Sequence, residues 1–293
     1  MIDQAAVARY HRDGFIVVEE VFSAAEIDAM RTALDRLVAD ASGVSSHDAV
    51  YDLEPGHTSA RPRVRRIKTP TQVDPLYDRM IRHPKLLAIL TQLLGPDLRL
   101  YGSKINIKAA DYGSPVEWHQ DWAFYPHTND DVLAVGVMLD DMTADNGPML
   151  MLPGSHRGPT HDHHQDGHFC GAMNLASADV DLSQAEMILG RAGACSFHHV
   201  RTVHGSAQNR SADTRRLLLY EVAAADAWPL MGLRDGFDGF EANMLAGTST
   251  TAPRIVDCPV RMPLPAPKRG GSIYESQTVV HARYFDFNPQ AGA

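Results

Sequence analysis

The sequence predicts a mainly β fold with flanking helices, in the α+β class, and two changes of pattern indicate it. Apolar residues recur at helical spacing through much of the first 97 positions, whereas from Leu98 they alternate with polar residues as on strands. Strand-like blocks return at Val132 to Leu139 and after Gly193. Because the 293 residues contain no internal repeat and no long linker, we expect one domain over residues 1–293, with N-terminal helices at 1–97 packed on a β core at 98–287.

Caps and prolines mark the ends of the predicted helices. Ser23 and Glu26 form a capping box, and Gly14 ends the short helix that precedes it. Proline suits the first turn of a helix, so we expect two further helices to begin at Asp74 and at Pro84. The caps therefore predict at least four helices before the β core.

A basic run follows a polar, turn-rich stretch, Ser42 to Pro62, that we expect to be a loop. Such runs are most often solvated strands or loops, but this one could also form an anion site at the mouth of a pocket. On a strand, Arg66 and Lys68 would share one face and Arg65 would lie on the other. The cations of the run are Arg61, Arg63, Arg65, Arg66 and Lys68.

The tripeptide His119-Gln120-Asp121 is the strongest chemical signal. On an extended chain the side chains at i and i+2 project from the same face, so an imidazole and a carboxylate are aimed at one point. Two histidines and one carboxylate on one face suit non-haem Fe(II). His204 is the best candidate for the third ligand, and His199 is the fallback. The spacing alone is weak evidence, because a chain with 15 His and 36 acidic residues contains such pairs by chance.

An arginine follows His204 at the head of the apolar run Leu217 to Tyr220. A buried arginine is costly unless it meets an anion, and a carboxylate would satisfy its planar group through two hydrogen bonds. Arg215 and Arg216 alternate faces on the predicted strand, so one of them points inward.

These motifs together resemble the phytanoyl-CoA dioxygenase family of Fe(II)- and 2-oxoglutarate-dependent oxygenases, which includes ectoine hydroxylase. The likeness runs in order over nearly the whole chain. It is carried by Trp118-His119-Gln120-Asp121, by Asp145-Asn146-Gly147-Pro148 through Pro153-Gly154-Ser155-His156, and by His204-Gly205-Ser206 with Asn209 and Arg215.

The resemblance implies a double-stranded β-helix (jelly roll, cupin-like) and Fe(II) bound by His119, Asp121 and His204. It also implies 2-oxoglutarate and dioxygen (O2) as co-substrates, hydroxylation of an unactivated C–H bond, and release of succinate and CO2. The family spacing selects Arg215 for the distal carboxylate of 2-oxoglutarate. The other residues that it assigns to the co-substrate are Ser206, Asn106 and Lys104.

Other functions are compatible with parts of the pattern. The same site could instead desaturate, cyclise or halogenate, although a halogenase needs a non-ligating residue at position 121, where this chain has Asp121. A jelly roll that only binds a ligand would have no need for the metal residues and Arg215 together. A cupin-type isomerase would favour more histidine ligands.

Three other regions give weaker predictions. Asp145-Asn146-Gly147 is a hairpin-turn signal with Met149 to Leu152 as its return strand. The histidines from His161 to His168 lie in a polar segment that we interpret as a mobile lid, although such a cluster can also bind metal adventitiously. Ala227 to Gly271 is expected to be irregular, and Val279 to Phe287 a closing strand.

Composition limits the partners. A net charge of −9 argues against nucleic-acid binding, and no apolar run approaches the length of about 18 residues needed to span a bilayer. The first residues carry no secretory signal, and three cysteines without C-x-x-C spacing suit a reducing compartment, so we expect a cytoplasmic protein. The expected partner is a small or medium-sized metabolite. For the oligomeric state, the sequence is compatible with a monomer and with a homodimer.

Overall fold

Two antiparallel sheets form the centre of this computed structural model, which describes residues 1–110, 113–268 and 271–285. The larger sheet has eight strands and the smaller one four, and a two-stranded ribbon lies outside both. The strands are β1 (Phe15–Val18), β2 (Tyr51–Leu53), β3 (Val64–Lys68), β4 (Leu98–Lys108), β5 (Val116–His119), β6 (Val132–Met138), β7 (Met149–Met151), β8 (His164–Gln165), β9 (His168–Phe169), β10 (Glu186–Met187), β11 (Cys195–His199), β12 (His204–Ser206), β13 (Arg215–Ala224) and β14 (Met244–Ala246).

Successive strands alternate between the two sheets. The larger sheet has the order β1-β11-β6-β13-β4-β3-β2, with β14 paired to β4, and the smaller sheet has the order β10-β7-β12-β5. Going along the chain, β4 to β7 and then β10 to β13 pass from one sheet to the other at every step. This winding is the double-stranded β-helix that the sequence predicts, and the predicted fold class is confirmed.

The register of β13 determines which side chains face the inside. Arg215 lies opposite Lys108 on β4, and Leu219 lies opposite Lys104 on one side and Gly136 on the other. Directly opposed residues of neighbouring strands share a face of the sheet. The side chains of Lys104, Lys108 and Arg215 therefore project together toward the smaller sheet.

Helices cover the outer face of the larger sheet. A continuous apolar core joins helices α2 (Ala24–Asp40) and α5 (Pro84–Leu94) to outward-facing strand residues such as Ile105 and Leu218. Two buried tyrosines anchor this layer: the Tyr77 hydroxyl donates to the Met30 carbonyl at 2.9 Å, and the Tyr220 hydroxyl donates to the Tyr77 carbonyl at 2.7 Å. The helices are α1 (Gln4–Asp13), α2 (Ala24–Asp40), α3 (Pro70–Val73), α4 (Pro75–Ile81), α5 (Pro84–Leu94), α6 (Gly236–Ala242) and α7 (Ile273–Ser276).

The predicted caps are confirmed. Ser23 and Glu26 form the capping box of α2, and Gly14 adopts a left-handed conformation with φ of 87° at the end of α1. Asp74 caps α4 through a hydrogen bond to the Leu76 N–H. No helix in the described ranges combines the length and the apolar character that crossing a bilayer requires.

Several predictions about connecting segments are wrong. The Asp145-Asn146-Gly147 turn does not join a hairpin, because β6 and β7 belong to different sheets and β7 pairs with β10 and β12. A local turn signal cannot distinguish a hairpin from a crossing between sheets. The supposed loop from Ser42 to Pro62 contains β2, which is short and polar at its centre but pairs with β3.

The C-terminal third also departs from prediction. The stretch from Ala227 to Gly271, expected to be irregular, contains α6 and β14 among its described residues. Instead of a closing strand, the chain makes a short 3-10 turn at Gln277–Val279 and stays irregular to Phe285, while positions 286 and 287 lie outside the described residues. The apolar side chains of this last described stretch pack on Trp118, whose ring stacks on Phe285. Its described backbone pairs with no strand.

The first 97 residues contribute three strands, β1 to β3, as well as helices. The boundary predicted at residue 97 therefore does not separate helices from strands. The single-domain organisation stays a prediction.

Candidate active site

Three side chains converge between the sheets. His119 ends β5, Asp121 opens the turn that follows, and His204 begins β12 directly opposite His119. Gln120 between them is extended, with φ of −119° and ψ of 129°, so His119 and Asp121 point the same way as predicted. One ligand atom from each residue lies within 4.8 Å of the others, the only such His, Cys, Asp or Glu group across the described residues.

Backbone hydrogen bonds fix the orientation of both imidazoles. His119 Nδ1 lies 2.8 Å from the Glu117 carbonyl, and His204 Nδ1 lies 2.9 Å from the Thr202 carbonyl. A carbonyl can only accept, so Nδ1 carries the proton in each ring and Nε2 presents its lone pair. Burial lowers the pKa of His119 well below its usual value and that of His204 to about 4. Both rings are therefore neutral at pH 7, the state that binds metal.

Asp121 provides the negative charge. Burial alone would raise its pKa, but His198, His204, Lys104 and His119 around it together hold that pKa well below the usual range. The carboxylate is therefore ionised at neutral pH. Two neutral imidazoles and one carboxylate on one side of a cavity are a donor set that fits Fe(II).

The histidines of the segment from His161 to His168 explain how the tripeptide is held. Gln120 is fully buried, and its N–H donates to His163 Nε2 at 2.9 Å. Its side-chain oxygen accepts from the His161 N–H at 2.9 Å, while its amide group donates to the carbonyls of Pro159 and Arg201. Hydrogen bonds from this segment therefore hold Gln120, the residue between the candidate ligands His119 and Asp121, in place. The sequence pattern gave no signal of this role.

Arg215 is buried inside the cavity without a carboxylate partner among the described residues. Its Nη2 donates to the Gly147 carbonyl, and its buried Nε has no hydrogen-bond partner. Burial lowers its pKa to about 10, so the guanidinium is still charged at pH 7. Arg216 faces the other way and pairs with Asp140 at 2.8 Å, which identifies Arg215 as the inward arginine.

Lys108 is a cavity residue that sequence reasoning did not single out as functional. It is buried beside Arg215, across the strand pair, and donates to the Ala207 carbonyl. Burial, with a further contribution from Arg215, lowers its pKa well below the usual value. The alternation of β4, which puts Lys104, Asn106 and Lys108 on one face, was the available signal.

The other predicted co-substrate residues also line the cavity. Ser206 lines the cavity from β12, and Asn106 presents a buried Oδ1 that has no hydrogen-bond partner. Lys104 is already engaged, because its Nζ lies 2.9 Å from Glu221 Oε1. The fallback ligand His199 points away, with Nε2 3.9 Å from Asp130. Its neighbour His198 faces the cavity instead.

The basic run contributes two side chains to the cavity, which has a volume of about 600 Å³. Arg66 and Lys68 line it together, and both bond to buried Asp52, at 2.6 Å and 2.9 Å. Arg65 is not among the lining residues; it pairs with Glu275 and lies over the ring of Tyr274, which does line the cavity. The prediction that Arg66 and Lys68 share a face is confirmed, whereas the opposite placement of Arg65 stays a prediction, because the register of β2 and β3 shifts beside it.

A double-stranded β-helix with two histidines and a carboxylate converging in its cavity defines the class of non-haem Fe(II)- and 2-oxoglutarate-dependent oxygenases. The sequence model of the family described as phytanoyl-CoA dioxygenase (PhyH) matches residues 10–217, and the chain belongs to this family. It is accordingly an enzyme, a dioxygenase that uses Fe(II) and 2-oxoglutarate.

Individual relatives agree with this assignment. A protein of Stutzerimonas stutzeri named a probable alpha-ketoglutarate-dependent hypophosphite dioxygenase is 39% identical over 94% of this chain and 97% of its own length. An ectoine dioxygenase of Bordetella bronchiseptica is 30% identical over 70% of each chain. The crystal structure of EctD from S. alaskensis with bound Fe matches with a TM-score of 0.65 and 25% identity, over 76% of this chain and 77% of that one.

Proposed function

We propose that His119, Asp121 and His204 bind Fe(II), that Arg215 and Ser206 hold 2-oxoglutarate, and that the enzyme oxidises a small anionic metabolite with release of succinate and CO2. One observation carries this proposal. The three ligand atoms converge within 4.8 Å on the wall of a cavity that also contains a buried arginine with no carboxylate partner among the described residues.

The protein residues supply binding, orientation and exclusion of water. Iron, when bound, supplies the chemistry that activates dioxygen for oxidation of the substrate. The two imidazoles are held by backbone carbonyls, so their Nε2 atoms need no reorganisation to bind it. Three protein ligands leave the remaining positions to small molecules.

Arg215 is the proposed anchor for the distal carboxylate of 2-oxoglutarate. Its unpaired Nε and its positive charge favour binding of an anion, because a buried cation without a partner costs folding free energy. Lys108, beside it, adds a second nitrogen donor, and Ser206 adds a hydroxyl on the neighbouring sheet. Asn106 is proposed to contact the same ligand through a water, because its unpaired Oδ1 can only accept a hydrogen bond.

The charge of the cavity favours an anionic prime substrate. Arg66, Lys68, Lys104 and Arg234 line the cavity in addition to the residues assigned to 2-oxoglutarate, and Glu221 is the one described carboxylate among the lining residues besides Asp121. Buried Asp52 pairs with Arg66 and Lys68 and neutralises only part of the excess positive charge of the cavity. In a chain with a net charge of −9, a cationic cavity draws anions inward.

Two kinds of substrate fit this charge. The relative that matches nearly the whole chain is named for hypophosphite, a small anion, so hypophosphite is the first candidate. The second candidate is a small carbon-based metabolite hydroxylated at a C–H bond, as expected from the sequence. A cavity of about 600 Å³ has room for such a metabolite beside 2-oxoglutarate.

The setting of the enzyme is also proposed. The three cysteines are unpaired, which supports a reducing compartment such as the cytoplasm. The protein is proposed to act as one domain on a small molecule, without nucleic acid. Monomer and homodimer are both compatible with these features.

The test is an assay of 2-oxoglutarate consumption and succinate release with added Fe(II). Hypophosphite and a panel of small carboxylated and neutral metabolites are supplied one at a time. We expect one anion to stimulate succinate release strongly, and His119→Ala or His204→Ala to remove the stimulation while the protein stays folded. Stimulation by neutral compounds alone would contradict the anionic substrate, and activity retained in both variants would contradict the metal site.

A further inference from the structure

His198 is a buried histidine in the cavity for which nothing so far gives a role. It is 1% exposed and sits on β11, one residue before His199, which faces away. On the inner face of the larger sheet it lies in a row with Ala134 and Glu221. Neither of its ring nitrogens has a partner with good hydrogen-bond geometry in the described structure. A buried polar group of this kind needs an explanation.

The two oxygens of Asp121 have different surroundings. Oδ1 lies 3.8 Å from His119 Nε2, on the side where the candidate ligand atoms converge. Oδ2 lies 3.4 Å from His198 Nε2. The His198 ring also packs against His204, with 4.6 Å between the ring centroids. His198 therefore contacts the carboxylate from the side away from His119.

We propose that His198 is a positioning residue that donates a hydrogen bond from Nε2 to Asp121 Oδ2 and so presents Oδ1 alone to the metal. This inference rests on the proposed metal site at His119, Asp121 and His204. A carboxylate free to rotate can bind a metal through both oxygens, which would occupy a position needed by the co-substrate. A partner on Oδ2 opposes that rotation.

Other groups near Asp121 are less suited to this task. Lys104 approaches it electrostatically, but its Nζ is held by Glu221 at 2.9 Å. The Tyr125 hydroxyl, from the turn that Asp121 opens, also interacts with Asp121 and is the alternative partner. Partners of ligating carboxylates generally matter for affinity, since their loss weakens metal binding by roughly 10–100-fold.

Metal affinity, measured without turnover, tests the proposal. Fe(II) under nitrogen, and Co(II) as a stable substitute, are titrated calorimetrically into the wild type and variants. His198→Phe keeps a ring but no donor, and we expect it to bind metal about 10–100-fold more weakly. His198→Gln restores an N–H donor and should recover part of the loss. His199→Phe, at the neighbouring residue that faces away, is the matched control and should bind as the wild type does.

The outcomes separate the two proposals. If the wild type binds no metal, or if His119→Ala binds it equally well, the proposed metal site fails. If the wild type binds and His198→Phe matches it, the role of His198 is refuted. A loss confined to Tyr125→Phe would likewise overturn it in favour of Tyr125. Thermal unfolding is recorded for each variant. If His198→Phe does not fold, the metal affinities of His198→Gln and His198→Ala are compared instead. Tighter binding by His198→Gln supports the role of His198, and equal binding refutes it.

Discussion

His204 lies directly opposite His119 in the register of β5 and β12, with 4.1 Å between the ring centroids. The two residues are far apart in the chain, so strand pairing alone brings them together. A slip of one residue would turn one ring to the other face of the sheet. The geometry of the candidate metal site therefore depends on the register of a small sheet, and that register is also set on the other side of β12, where His204 pairs with Met151.

Arg215→Lys should weaken 2-oxoglutarate binding about tenfold or more, because lysine keeps the charge but loses the planar pair of donors. Arg216→Lys is the matched control, since that side chain faces out toward Asp140 and Asp35. Titration of 2-oxoglutarate into the metal-loaded variants measures the effect. Equal affinities for wild type and Arg215→Lys, with a loss in Arg216→Lys, would show that the co-substrate lies elsewhere.

Arg66→Gln should raise the KM for the prime substrate about tenfold while leaving kcat unchanged, as expected when a charge-assisted positioning contact is lost. Arg61→Gln, on the exposed part of the same basic run, should change neither constant. The slow consumption of 2-oxoglutarate without prime substrate should be equal in all three proteins. A fall in that background rate in Arg66→Gln would instead assign Arg66 to the co-substrate.

Acid should destabilise the protein through its buried histidines. Burial lowers the pKa of His127 to about 4, whereas in the unfolded chain it returns to about 6.5. Between those values the unfolded state binds a proton that the folded state does not, so stability falls as the pH drops from about 6.5 to 4. The contribution of this histidine is present in full above that window.

Urea unfolding of the metal-free protein at a series of pH values measures this effect. His127→Phe should reduce the loss of stability on acidification by roughly 1 kcal/mol per pH unit in the window. Removing an exposed histidine, as in His11→Phe, should leave the slope of the unfolding free energy against pH as it is in the wild type. Identical slopes for wild type and His127→Phe would mean that burial does not lower the pKa of His127.

The sequence predicts the parts of the fold that are encoded locally. The capping box at Ser23, the left-handed Gly14 and the alternation of β4 each depend on a few neighbouring residues, and each is found where expected. The family of the chain and its fold class are likewise confirmed. Connections fail for a physical reason: the turn at Asn146-Gly147 has the same local chemistry whether the chain returns to its own sheet or crosses to the other.

The candidate site divides in the same way. The spacing of His119 and Asp121 and the alternation of Arg66 and Lys68 follow from strand geometry, so the sequence predicts which of these side chains share a face. The support of Gln120 by His163 depends on a contact between distant segments. Nothing in the local pattern around His163 encodes it, and the same holds for the contact of His198 with Asp121.

The most direct test of the metal and co-substrate site is a crystal structure of the protein with Fe(II) and 2-oxoglutarate under nitrogen, with data collected at the iron absorption edge. We expect one anomalous peak bonded to His119 Nε2, Asp121 Oδ1 and His204 Nε2, with the distal carboxylate of 2-oxoglutarate against Arg215. A peak at His199 or in the segment from His161 to His168, or a co-substrate carboxylate that does not reach Arg215, would contradict it.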